Sequence, residues 1–390
     1  MEPVRELEER LDRYDAERYP VQHATARFHL GVALTDAGRA EEAIESLMRA
    51  VALFDPELLP VEHAKAVNAL GAARRLAGDP EGAGVEFEQA ATLFERVGLE
   101  QEHGAALYNL GLVCREADPS AAVECFRRAA SLLAGGHEAA AARELGATLL
   151  QLGELGEATQ VLERTVEAAR RGDAAGLGGT LNALGLVQLA AGKDDDAVES
   201  FREAAAAHPR GIRPAEFAMA KANLALAFER AGDVRRARLA ARQALGVTAL
   251  PEPVEAQASA ILARLGPAGD DLLGVLLEER EERREGLVRE ELVRSAGDSD
   301  AERLAEATTW IDGSGELAGL WLGALLELPP ASMERLVRSA LEALSSRDPD
   351  VQERFRGHVS RAAARFHMPQ LLRLEEVFRR NAAELGQPWS

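Results

Sequence analysis

Apolar residues along this chain recur at helical spacing, in blocks of two amphipathic stretches joined by a short polar turn, and the block is written six times. With the pair Leu-Gly as a ruler, the blocks fall at Leu30-Gly31, Leu70-Gly71, Leu110-Gly111, Leu145-Gly146, Leu184-Gly185 and Leu224-Ala225, in steps of 40, 40, 35, 39 and 40 residues. Seven residues after each stands a turn residue: Gly38, Gly78, Asp118, Gly153, Gly192 and Gly232. An alanine follows at 43, 83, 122, 158, 197 and 237. Four residues on comes a large apolar side chain, Leu47, Phe87, Phe126, Leu162 or Phe201, with Ala241 the exception. Three further on the residue is small again, Ala50, Ala90, Ala129, Thr165, Ala204 and Ala244.

This spacing predicts a helix-turn-helix unit. Small residues let helix A approach helix B, the large residue fills the gap between them, and glycine takes the backbone conformation that reverses the chain. One such hairpin cannot bury its apolar face, but a stack of them can.

The pattern resembles the tetratricopeptide repeat family over residues 21–247, with N-x-L-G or N-L-G in helix A, G-x-x-x-x-A across the turn and a large-then-small pair in helix B. The family's common unit is about 34 residues. The longer steps here are similar to the long-period, kinesin-light-chain-like subgroup, with the extra residues between helix B and the next helix A. The resemblance implies an all-α fold, a right-handed superhelical array of six repeats, followed by a C-terminal helical domain. The divisions expected are an N-terminal capping helix over 1–20, repeats over 21–250, a partial repeat over 251–267 and the C-terminal domain over 268–390.

Outside the array the same periodicity predicts further helices. Val4, Leu7, Leu11 and Tyr14 share a face of a helix that Pro20 closes. A seventh helix A is expected over 254–265. Asp270 to Ala296 reads as one long helix whose charged middle is a solvated face, supported by Glu279–Arg283, Glu285–Arg289 and Glu290–Arg294 pairs. Helices are then expected near 300–310, 316–328, 332–346, 350–366 and 370–385. The segment 317–328 is apolar nearly all round and reads as a buried centre or an interface.

Composition narrows the function. Aromatic residues are 4% and no β-branched or aromatic runs stand between turns, so strands are not expected. A net charge of −20 argues against nucleic acid or an anionic membrane surface as the main partner. No apolar run reaches the ~20 residues of a membrane span, and the start is polar and helical rather than a basic-then-apolar leader, so a cytoplasmic location is expected. The Ala/Arg/Leu bias is bacterial in style. Only three lysines stand against forty-two arginines, so an isolated arginine says little.

The sequence has no phosphate-binding loop, dinucleotide fingerprint, nucleophile elbow or H-E-x-x-H, and nothing in it calls for a cofactor or metal. Cys114 and Cys125 read as core thiols or, alternatively, a redox switch. His23, His63 and His103 occupy equivalent places in units one to three. Equivalent places lie on the order of 10 Å apart, too far for shared zinc ligation at about 2 Å, so start-of-helix packing or capping is expected.

The resemblance also implies which positions face the concave side: six and three before the ruler glycine, and one and four after it. These are Thr25, Phe28, Val32 and Thr35; Lys65, Asn68, Ala72 and Arg75; Ala105, Tyr108, Leu112 and Arg115; Ala140, Arg143, Ala147 and Leu150; Gly179, Asn182, Leu186 and Leu189; Met219, Ala222, Leu226 and Glu229. Phe28/Val32 and Tyr108/Leu112 stand where the family's carboxylate clamp for chaperone tails wants Lys and Asn, so that ligand is not expected. Lys65, Arg75, Arg115 and Arg143 form a candidate basic stripe, and Asn68 and Asn182 are candidates for holding peptide amides. Phe28, Thr35, Tyr108 and Leu186 complete the candidate groove.

The expected function is a non-enzymatic scaffold that binds a protein or an extended or helical peptide segment carrying acidic residues. The alternatives are a groove filled by the protein's own C-terminal helices, a peptide- or effector-responsive regulator whose array controls those helices, and an enzyme with a site among His358, Arg365, His367 and Glu375. A homodimer through the C-terminal domain is left open.

Overall fold

The computed structural model describes residues 4–172, 176–266 and 271–389. The described residues are helical throughout, without strands, and contacts divide the chain into two compact units, Met1–Lys193 and Asp194–Ser390.

In the first unit the helices are α1 (Val4–Arg13), α2 (Pro20–Asp36), α3 (Ala40–Leu53), α4 (Pro60–Leu76), α5 (Pro80–Val97), α6 (Glu100–Cys114), α7 (Pro119–Leu132), α8 (Gly135–Leu152), α9 (Leu155–Arg171) and α10 (Leu177–Ala190). Each packs on the next, as a solenoid of helix hairpins requires. The A-to-B turns carry Gly38, Gly78 and Gly153 with φ between +76° and +80°, a conformation costly for any residue with a Cβ. The helices lock by size. A Cβ on Gly31 would stand 2.4 Å from Leu47 Cγ, and one on Gly71, Gly111 or Gly146 would fall 2.7–2.9 Å from the nearest atom of Phe87, Phe126 or Leu162. These four large side chains are fully buried.

Two local readings change. Pro20 does not close the first helix: α1 ends at Arg13, Asp15 Oδ1 accepts the Glu17 and Arg18 N–H groups in a turn, and Pro20 opens α2, where its missing N–H costs nothing. The same turn recurs at Asp55 ahead of Pro60. Asp118 does not play the turn glycine; with φ −141° it is the N-cap of α7 and accepts the Ala121 N–H, the role Asp79 fills for α5. The third unit's turn is therefore one residue shorter.

The equivalent histidines tie successive hairpins together. His23 Nδ1 donates to the Tyr14 carbonyl at 2.7 Å and His63 Nδ1 to the Phe54 carbonyl at 2.9 Å, nine residues back in each case. His103 cannot repeat this, because the Phe94 carbonyl is already taken by Leu99 N–H where Gly98 ends α5 in the left-handed conformation. Its Nε2 faces Arg128 instead, and burial holds its pKa below the usual value.

The second unit holds α11 (Asp194–Ala207), α12 (Pro214–Arg230), α13 (Val234–Leu245), α14 (Glu252–Leu265), α15 (Asp271–Glu278), α16 (Glu281–Ser295), α17 (Asp300–Asp312), α18 (Gly315–Glu327), α19 (Pro330–Ser345), α20 (Pro349–Ala363) and α21 (Met368–Glu384). Helices α11 to α14 again pack consecutively, and in the α12–α13 hairpin Ala225 and Ala241 are both fully buried where the other units pair a glycine with a large residue. From α16 onward the order changes, and α16 packs on α18, α17 on α19, α18 on α20 and α19 on α21. The connectors explain it. Gly313, Ser314, Leu328 and Pro329 are all extended, with ψ between 145° and 169°, so the chain does not fold straight back on itself as it does at a left-handed glycine.

Helix α18 is the centre of this bundle. Trp321 is 1% exposed and its ring lies 5.9–6.1 Å from those of Trp310, Phe355 and Phe378, with Trp389 stacked on Phe378 at 4.8 Å. The start of the helix expected from Asp270 lies outside the described residues, and the rest is two helices, broken at Glu279-Arg280. The charged middle is mostly exposed, while Glu279 within it pairs with Arg202 and Arg236, and Arg284 Nε donates to the Glu279 carbonyl. Of the three expected local pairs Glu285–Arg289 forms, whereas Glu290 bonds Lys221 and Arg283 bonds Glu199. Partners brought in by the tertiary fold displace the i,i+4 pairs, which are worth a few tenths of a kcal/mol.

Candidate functional site

The A helices of the first unit set the candidate groove. Helix α2 packs on α4, α4 on α6 and α8 on α10. Between α6 and α8 lies instead a hollow of about 360 Å³, lined by Gln101, Glu102, Ala105, Tyr108, Leu133, His137 and Ala140. Ala105, Tyr108 and Ala140 are positions that the ruler assigned to the concave side. The hollow falls at the ruler step of 35 residues. There α7 is followed after two residues by α8, where α3 and α4 are separated by six.

Tyr108 is half-buried, with its ring edge-on to Phe126 at 5.8 Å. Burial and the Glu144 carboxylate push its phenol pKa up, while Arg143, Arg115 and Arg75 act the other way. The three arginines are not equivalent. Arg115 is held by Glu144 at 2.5 Å, which removes it from any free basic stripe. Arg143 lays its stem along Gly176 and Gly179 at the start of α10, where a Cβ on either would meet it at 3.1–3.4 Å. Arg75 and Lys65 are exposed. Neither Arg75 nor Arg143 has a carboxylate partner among the described residues.

The other candidates fall into place around this centre. Asn68 is half-buried, and its Oδ1 is buried with no hydrogen-bond partner. Asn182 is half-buried and already engaged within the protein, and Leu186 is 37% exposed. Thr35 spends its hydroxyl on the Gly31 carbonyl, and Phe28 packs into the clusters between units one and two, with its ring 5.2 Å from His29. Leu189 and Ala222 are buried, so they floor the helices rather than face a ligand. In the second unit, Glu229 is taken by a two-pronged contact with Arg264 of α14. The unsatisfied Asn68 oxygen and the hollow are what sequence reasoning missed; the odd 35-residue step was the signal for the latter.

A family profile described as tetratricopeptide repeat matches residues 7–57 and 182–252. Those two stretches carry the tetratricopeptide repeat. Among solved structures, the chain is similar to apo NprR, a quorum sensor from B. thuringiensis, at 12% identity, covering 88% of this chain and 87% of that one with a TM-score of 0.48. It is also similar to kinesin light chain TPR-like repeats from Podosopora anserina, at 18% identity over 48% and 96% of the two chains, TM-score 0.42. YrrB, described as a TPR protein with an unusual peptide-binding site, matches at 21% identity over 50% and 89%, TM-score 0.37. No curated protein matches the chain. Tetratricopeptide repeats serve as protein-binding scaffolds and are in general not enzymes.

The remaining candidates are scattered. Cys114 and Cys125 are half-buried free thiols, and burial pushes Cys125 up to about 11. In the second unit, His367 caps α21 together with Gln370, His358 lies beside Gly315, and Arg365 is exposed. Glu375 lines a cleft of about 200 Å³ to which neither histidine contributes. Among the described residues no three His, Cys, Asp or Glu side chains are grouped to hold a metal, and no helix is long and apolar enough to cross a membrane.

Proposed function

We propose that the tetratricopeptide array is a non-enzymatic scaffold whose A-helix face captures an extended peptide segment with an acidic side chain beside an apolar one. The observation that carries this reading is the hollow at Tyr108, a residue within electrostatic reach of Arg75 and Arg143, two guanidinium groups without carboxylate partners among the described residues of a chain of net charge −20. The apolar residue enters the hollow against Tyr108, the acidic one meets the arginines, and the unpaired Asn68 oxygen accepts a peptide N–H. A preformed helical surface loses little conformational freedom on binding, which favours affinity. Partners captured from a native cytosol by the full-length protein, identified by mass spectrometry, should be lost with the Arg75→Glu/Arg143→Glu variant. Unchanged capture sinks the reading.

We place the protein in the bacterial cytoplasm and keep the division into cap (1–20), repeats (21–250), partial repeat (251–267) and C-terminal helical domain (268–390), with that last domain as the place for self-association. A regulator, in which the array acts on the C-terminal helices, is favoured by one observation. Leu239 is the array residue in the bundle's buried core, and charged pairs cross the same joint: Arg238 and Arg242 on Asp271, Lys221 on Glu290, Arg235 on Glu278. Small-angle scattering with and without a captured peptide tests it; an unchanged curve counts against it.

A further inference from the structure

The second unit contains a cavity of about 270 Å³ between α11, α12, α13, α15 and α16. Its floor is apolar, formed by Leu224, Phe228, Leu239, Ala240, Val275 and Leu287. Its polar lining is Arg202, Lys221, Arg236 and Arg283 with Glu279 and Glu290, and Glu199 and Asp233 pair with the arginines from outside it. Lys221 is set deep, its side chain 8% exposed, with Nζ 2.5 Å from Glu290 and 5.4 Å from the Phe217 ring centre. Arg283, at the rim, is held by the exposed Glu199, a contact of the kind worth at most about 1 kcal/mol and readily exchanged.

Gly286 lines the same cavity from the interior of α16, where a glycine costs about 1 kcal/mol against alanine. A Cβ built on it meets nothing within 4 Å. No close approach of another helix requires this glycine; it is exposed, and its missing side chain leaves the mouth of the cavity open.

We propose that this cavity binds an amphipathic anion, a short aliphatic chain ending in a carboxylate. The chain lies on the Phe228, Leu239 and Leu287 floor, and the carboxylate is received by Lys221 and Arg283. The groove reading and this one stand or fall separately, since the cavity uses no residue of the first unit.

Isothermal titration of the full-length protein with octanoate, octanol and acetate tests it. Octanoate is expected to bind, octanol at least ten-fold more weakly, and acetate not measurably. Gly286→Leu places a side chain in the open mouth and improves the helix, so the variant keeps its melting temperature while each methylene displaced weakens octanoate by about four-fold. Lys221→Met removes the preference for octanoate over octanol. Intermolecular NMR contacts from octanoate methylenes to Phe228 locate the ligand directly. No octanoate binding to the unmodified protein, or undiminished binding to a folded Gly286→Leu variant, overturns the site, and octanol binding as tightly as octanoate overturns its anionic character.

Discussion

The size lock between helices A and B makes the sign of one substitution depend on another residue. Gly31→Ala adds a methyl 2.4, 2.8 and 3.2 Å from Leu47 Cγ, Cδ2 and Cδ1, against a favourable carbon separation of about 3.5–4.0 Å. Leu47 is completely buried, so it cannot swing into solvent, and overpacking of this kind costs about 1–3 kcal/mol. Replacing a helix-interior glycine by alanine returns about 1 kcal/mol. The net expectation is a loss of up to about 2 kcal/mol. Leu47→Ala alone should cost about 2–5 kcal/mol through lost burial and the space left behind. In that background the collision is gone and the propensity gain remains, so Gly31→Ala should stabilise the Leu47→Ala protein by roughly 1 kcal/mol. Urea unfolding followed by circular dichroism on the four proteins of the cycle measures this. Additive effects, or a Gly31→Ala variant that is destabilising in both backgrounds, refute the reasoning.

Other expectations are more direct. With Cys125 at about 11 against an ordinary 9.0, its alkylation by iodoacetamide near pH 8 should be about a hundred-fold slower than that of an unhindered thiol of ordinary pKa, and should rise through pH 10 to 11 as the thiolate forms. His63→Ala leaves the Phe54 carbonyl without its donor in a buried setting and should lower unfolding free energy by about 1–3 kcal/mol, whereas His23→Ala, at a more exposed equivalent, should cost less; thermal melts compare them. Asp271→Asn removes the charge that Arg238 and Arg242 share at a carboxylate 2% exposed, and should cost roughly 3 kcal/mol in urea unfolding.

The features legible in the sequence are those that repeat. Six copies of a small-large-small spacing expose the hairpin, its turn glycines and the alanines at positions 43, 83, 122, 158, 197 and 237, all fully buried. What was not legible depends on one-off geometry. The role of Asp118 follows from a turn one residue shorter, which a count from Gly111 does not reveal. The break at Glu279 and the partners of Glu290 and Arg283 are decided by residues 43 to 84 positions away. The candidate groove was readable as a set of positions, but not the fact that Glu144 occupies Arg115 or that Asn68 keeps an unpaired oxygen. Those depend on where neighbouring A helices stand.

The paired alanines at 225 and 241 bear on how such a chain can be recombined. In the first four hairpins a bulky side chain on one helix meets a glycine on the other, so a helix B exchanged among them still finds a seat of the same kind. The α12–α13 hairpin follows a different gauge. Given a Phe-bearing helix B it would collide at Ala225, and lending its own helix B elsewhere would leave a void opposite a glycine. Duplication and shuffling can therefore lengthen or shorten the array ahead of this hairpin, while the hairpin itself stays fixed as the last piece before α14.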